Sequence, residues 1–123
     1  MLRTFLRTKI HRATVTSADR DYEGSISIDR ALCRTAGLLE FEQVDVYDIT
    51  NGERFTTYVI YGEPGQIQIN GAAAVLVRPG DLVIIAAYSS LLPEEITPHR
   101  ATVVRVDAKN QPVKVTTQAV EKP

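Results

Sequence analysis

The sequence has one cysteine, no tryptophan, and no apolar run long enough to cross a membrane. Cys33 therefore has no internal disulfide partner and no second thiol at metal-ligand spacing, which fits a reducing compartment and a packing role. Arg3, Arg7 and Lys9 interrupt the stretch from Met1 to Ile10, so no signal peptide is read there. An unexported, cytoplasmic protein without membrane attachment is expected. Charge of one sign is also lacking: fourteen Lys and Arg against fifteen Asp and Glu leave a formal charge of -1. Such a balance offers no global field to gather nucleic acid or an acidic membrane. Gly62, Gly65 and Gly71 are not spaced as a phosphate-binding loop, and no metal cluster or internal repeat is present.

What the chain does have is short runs rich in Val, Ile, Thr and Tyr, separated by turn residues. They predict a mostly β fold with strands over Lys9 to Val15, Gln43 to Asp48, Arg54 to Tyr61, Gln66 to Asn70, Leu82 to Tyr88 and Ala101 to Val106. Six such strands would close into a small barrel. Asn51-Gly52 accepts the positive φ angles of a tight hairpin and predicts that its flanking strands pair antiparallel. A helix is predicted from Asp29, whose carboxylate caps free amides, to Gly37, which permits a left-handed exit, with Ala31, Leu32 and Thr35 facing inward. A second short helix follows Asn70-Gly71 through Ala72 to Leu76, ended by Pro79-Gly80. With 123 residues the chain is one domain, placed at residues 1 to 112. Polar, aperiodic Val113 to Pro123 is expected to be a weakly held tail.

Chemistry enters at Tyr22-Glu23-Gly24-Ser25. If the backbone lets Ser25 Oγ reach the Gly24 carbonyl carbon, an N-to-O acyl shift converts the amide into an ester. β-Elimination of that ester releases a chain ending at Gly24, and the dehydroalanine left at position 25 hydrolyses to a ketone and ammonia. Alone, a Gly-Ser dipeptide is equally an ordinary turn. Its surroundings supply the specificity.

Lys9-Ile10-His11-Arg12, Tyr22-Glu23-Gly24-Ser25, Thr50 through Tyr58 (TNGERFTTY), Asn70-Gly71-Ala72-Ala73-Ala74 and Gly80 through Ile85 (GDLVII) together resemble the bacterial L-aspartate α-decarboxylases, from Met1 to about Pro93. The resemblance implies a six-stranded double-psi β-barrel with short helices, a homotetramer with active sites between subunits, and a cytoplasmic enzyme making β-alanine for pantothenate and coenzyme A synthesis. It also implies self-cleavage after Gly24 into chains 1–24 and 25–123. A pyruvoyl group derived from Ser25 would be the only cofactor, with neither metal nor pyridoxal phosphate.

The substrate is then L-aspartate, joined to the Ser25-derived ketone as a Schiff base that accepts the electrons left by carbon dioxide. Arg54 is assigned to the β-carboxylate, because a bidentate guanidinium is best spent on the group that stays. Tyr58 is the proton donor that the family motif suggests, and Thr57 carries over as the stabiliser of the oxyanion formed in self-cleavage. Lys9 would add positive charge to the substrate site. Gly24 and Ser25 are the processed pair; Ala72 and Ala73 leave room and backbone amides near the ketone; His11, Tyr22, Asn70 and Ile84 are supporting residues. Thr57 and Tyr58 face opposite sides of a flat strand, so one pocket using both needs a bend or a second subunit. Tyr47 stands where many members have tryptophan. Read without the family, Arg54, Thr57 and Tyr58 are ordinary strand residues, and the alternative function is a non-catalytic barrel used for binding or assembly. The joint presence of Ser25, Arg54, Thr57 and Tyr58 favours the enzyme. Some relatives use a maturation helper protein, a possible further partner.

Overall fold

A computed structural model describes every residue from Met1 to Pro123. The chain runs β1 (Arg3–Thr14), β2 (Ser17–Asp19), β3 (Ser25–Asp29), α1 (Arg30–Ala36), β4 (Gln43–Asp48), β5 (Arg54–Gly62), β6 (Ile67–Asn70), a 3-10 helix (Gly71–Leu76), β7 (Leu82–Leu91), α2 (Pro93–Ile96), β8 (Arg100–Val106) and β9 (Pro112–Ala119). Its strands form one mixed sheet in the order β2-β6-β3-β5-β4-β7-β1-β8-β9. β2 and β1 lie well apart in that order yet are separated in the chain only by Val15 and Thr16. Thr16 N donates to Ile67 O at 2.8 Å and Val15 N to Asp81 O at 2.9 Å. One continuous segment therefore belongs to both halves, and the sheet curls around a common core.

Alternation along the strands fills that core. Val44, Val46, Ile67, Ile69, Val83 and Ile85 face inward, joined by Ile26, Ile28 and Val59. Each fully buried side chain of this kind contributes about 2 kcal/mol relative to an exposed one. The mostly β fold expected from the sequence is thus formed, as one curled mixed sheet consistent with a small barrel, with nine strands where six were read. β3 is buried at all five positions and shows no alternation, and β2 is only three residues long. β9 is polar and mostly exposed, but it pairs antiparallel with β8 from Arg100↔Ala119 to Val106↔Pro112. The stretch read as an irregular tail is therefore an edge strand up to Ala119.

The capped helix also differs in its inner face. Asp29 Oδ1 accepts from Ala31 N at 2.8 Å and Leu32 N at 3.3 Å, and Gly37 exits at φ 72°. Leu32, Cys33 and Ala36 are buried, whereas Ala31 and Thr35 face solvent. A stripe one residue away from the expected one meets the barrel, and Thr35 Oγ1 instead donates to Ala31 O at 3.1 Å.

β4 and β5 pair antiparallel through a loop in which only Gly52 takes positive φ, at 80°. Asp48 secures this loop: its Oδ1 accepts from Thr50 N at 2.8 Å and Asn51 N at 3.2 Å. Its Oδ2 is buried without a hydrogen-bond partner. In its protonated form Asp48 can hydrogen-bond Asp81. Burial first, then that hydrogen bond, raises the Asp48 pKa to about 6. Because the folded value lies above the unfolded one, the contribution is complete below about pH 4 and is lost as pH rises through 6. Asp48→Asn keeps the acceptor for both amides and supplies an N–H toward Asp81. Thermal unfolding should show the variant more stable than the parent at pH 8, with the advantage gone at pH 4; equal stability at pH 8 would contradict a raised Asp48 pKa.

Candidate active site around Gly24 and Ser25

Ser25 opens β3 opposite Asn70 at the end of β6, and both are only 1% exposed. Ser25 Oγ donates to Glu23 O at 3.0 Å and accepts from Asn70 Nδ2, also at 3.0 Å. Asn70 Nδ2 donates its second hydrogen to Ser27 Oγ at 3.1 Å. The hydroxyl thus has a fixed direction and an N–H donor already on its oxygen, which is what an oxygen gaining negative charge requires.

Gly71, immediately after Asn70, lies against the same loop. Its φ is 76°, and a Cβ placed there would sit 2.5 Å from Gly24 Cα and 2.8 Å from Gly24 N. At Gly24 itself an added Cβ would meet nothing within 4 Å in the chain. Crowding at this bond is therefore imposed from Gly71, a residue the sequence reading placed in a motif without giving it a role.

β5 carries the other candidates along the neighbouring edge. β3 and β5 run parallel with Ile26 opposite Val59, so continuing that register by one residue sets Tyr58 beside Ser25. Thr57 pairs with inward-facing Val44, while Tyr58 pairs with Gln43, confirming that the two side chains leave opposite faces of the strand. They nevertheless line one open hollow of about 460 Å³, with Phe41, Gln43 and Thr56. Phe41 stacks obliquely on Tyr58 with ring centroids 6.3 Å apart. Tyr22 lies in the loop before Gly24 and is 52% exposed; Ala72 is exposed and Ala73 half-buried on the 3-10 helix.

Arg54 and Lys9 occupy a different region. Arg54 pairs with Tyr47 across β5 and β4, and its guanidinium lies 5.0 Å from the Tyr47 ring centroid. Tyr47 pairs in turn with Ile84 on β7. The Tyr47 and Tyr88 hydroxyls are 2.7 Å apart, and this bond, followed by burial, pushes the Tyr47 phenol up to about 12. Lys9 is on β1, beside Ala86. The chain's one ion pair joins Arg7 and Glu42, so neither Arg54 nor Lys9 has a carboxylate partner.

Four residues of strand separate Arg54 from Tyr58, about 13 Å at ordinary rise, and β1 is three strands from β5, roughly 14 Å.

His11 lines a separate hollow of about 530 Å³ with Arg12 and Arg105 among its walls. Its Nδ1 is buried without a partner, and burial, then Lys9, Arg105 and Arg12, lower its pKa and hold it neutral near pH 7. No group of three His, Cys, Asp or Glu side chains converges as a metal site. No helix is long and apolar enough to cross a membrane.

Residues 1–113 match the family model described as aspartate decarboxylase. The chain is 53% identical over 115 residues to the aspartate 1-decarboxylase of Hydrogenobaculum sp. strain Y04AAS1, covering 94% of this chain and 92% of that protein. It is 56% identical to the enzyme of that name from Bdellovibrio bacteriovorus (88% and 87% covered). It is 58% identical to the one from Syntrophus aciditrophicus (90% and 97% covered).

Proposed function

The chain belongs to the aspartate decarboxylase family and removes a carboxyl group from aspartate; on that premise we propose that it does so with a pyruvoyl group made from its own Ser25. The observation that carries this is the fixed Ser25 hydroxyl beside Gly24, with Asn70 Nδ2 donating to the oxygen that must act as nucleophile. Attack of Ser25 Oγ on the Gly24 carbonyl carbon forms the new C–O bond and breaks the C–N bond, the freed amine taking the proton. Elimination then leaves a Gly24 carboxylate and a dehydroalanine, and water converts the latter to the ketone and ammonia. The residues fit such a group: Gly71 leaves room on one side, and Asn70 supplies N–H donors in a buried setting.

Once formed, the ketone provides an electron sink for carboxyl loss from an amine-bearing substrate. Thr57 stabilises the oxyanion of self-cleavage, Arg54 holds the β-carboxylate, Lys9 adds positive charge, and Tyr58 returns a proton to the substrate carbon. Ala72 and Ala73 shape the pocket, with His11, Tyr22, Asn70 and Ile84 in support. The active unit is a homotetramer with each active site completed between neighbouring subunits. Light scattering at the mass of a single chain in active protein would remove this part. The product, β-alanine, would feed pantothenate and coenzyme A synthesis in the cytoplasm.

Denaturing mass spectrometry tests the proposal directly. It should show chains 1–24 and 25–123, the larger blocked to N-terminal sequencing and lighter than a serine terminus requires. Active protein that remains one intact chain would overturn it. Scission that begins only after cell extract is added would identify a maturation helper as a partner.

A further inference from the structure

Three side-chain amides at alternate positions, Gln66, Gln68 and Asn70, lie along the outward face of β6 and the residue before it, between buried Ile67 and Ile69. Their polarity is fixed from one end. Glu63 N donates to Gln66 Oε1 at 2.9 Å, and a backbone N–H can only donate. Gln66 Nε2 must therefore point onward, and it donates to Gln68 Oε1 at 3.2 Å. Ser17 Oγ donates to the same oxygen at 2.6 Å. Gln68 Nε2 is thereby left to donate to Asn70 Oδ1 at 2.7 Å, which turns Asn70 Nδ2 toward Ser25 Oγ and Ser27 Oγ. Without Gln68, the Asn70 amide is free to present Oδ1 to the two serines. Ser25 would then donate to Asn70, and its oxygen would lose its donor.

We propose that Gln68 is a positioning residue for self-cleavage: through the amide ladder it holds Asn70 in the one orientation that donates to the Ser25 nucleophile. This rests on the self-cleavage reading above. The hydrogen bond at stake strengthens when Ser25 Oγ gives up its proton for attack on Gly24, and again when that oxygen leaves Ser25 Cβ as part of the Gly24 carboxylate. Losing it should slow chain scission about tenfold, as expected for one hydrogen bond to a developing charge. Gln68 neither touches the reacting carbonyl nor exchanges protons with it. Its effect passes entirely through Asn70.

Gln68→Glu tests the direction of the bond, since a carboxylate of the same shape accepts but cannot donate. Freshly purified precursor is incubated at pH 8 and at pH 4, and release of chain 25–123 is timed by denaturing mass spectrometry, each rate divided by the parent's at the same pH. About tenfold slowing is expected at pH 8, with recovery of threefold or more at pH 4, where a glutamic acid with a reference pKa of about 4.3 regains its O–H donor. Slowing that is equal at both pH values would indicate a structural role and overturn the inference, as would parental rates at pH 8. Gln68→Met, similar in size and unable to titrate, decides the matter if the Glu variant does not fold. Folded Met variant should be slow at both pH values; parental scission by it overturns the proposal. A folded parent that never cuts defeats self-cleavage itself, not the ladder.

Discussion

Ser25→Ala should yield a single uncut chain of 123 residues and no carbon dioxide from aspartate. The expected loss is complete because one oxygen serves twice. It is the nucleophile that opens the Gly24–Ser25 bond, and its elimination creates the carbonyl on which decarboxylation depends. No neighbouring group replaces it: Ser27 lies on the same face, bonded to Asn70, but its preceding residue is core Ile26. Folding should survive. Asn70 Nδ2 keeps Ser27 Oγ as an acceptor, so removing Ser25 Oγ costs about 1 kcal/mol for the lost hydrogen bond. The measurement pairs intact mass with carbon dioxide release on the same folded sample. Decarboxylation by uncut Ser25→Ala protein would rule out a cofactor built from this residue.

The motifs carrying this chemistry were legible in the sequence because they are contiguous. Gly24-Ser25, Arg54 through Tyr58 and Asn70 through Ala73 each occupy a few adjacent residues; the last two reached the expected strand and short helix, whereas Ser25 opens β3, a strand not read from the sequence. Burial was legible where one face alternates, as in β4, and illegible in β3, which is covered on both sides. β9 was missed for the opposite reason. Its residues are mostly exposed, so hydrogen bonding to β8 makes the strand without an apolar pattern to announce it. The one-residue error in the face of α1 has a similar origin, since Thr35 is no guide to burial when its hydroxyl bonds its own helix.

Relations between segments were harder to read. Gln66, Gln68 and Asn70 did carry a signal, three amides at period two, but its meaning depends on β3 lying opposite β6. The distance from Arg54 to Ser25 required the parallel register of β3 and β5, which no local pattern encodes. Once that register is known, the opposite faces of Thr57 and Tyr58 cease to be an objection. They line one hollow from two sides of one strand edge.

Gly71→Ala should cut at least about a hundredfold more slowly than the parent while remaining folded, the loss expected when reacting groups are displaced by about an ångström. Two costs fall on this substitution. A non-glycine residue at φ 76° is strained by about 1–2 kcal/mol, which lowers stability without touching chemistry. The second cost is specific to the site: the new Cβ would lie 2.5 Å from Gly24 Cα, against backbone that has no rotamer to change. Either the 3-10 helix recedes, carrying Asn70 off Ser25, or Gly24 shifts and its carbonyl leaves the serine's reach. Gly52→Ala separates the two costs, because it has a similar φ of 80° but open space around its Cβ. Both variants should lose thermal stability, and only Gly71→Ala should lose scission, followed by denaturing mass spectrometry from fresh precursor. Equal scission rates in the two would mean that the close contact between Gly71 and Gly24 does not govern cleavage. A hundredfold gap would establish that close backbone contact, absent from any single motif, sets the geometry of the bond that is cut.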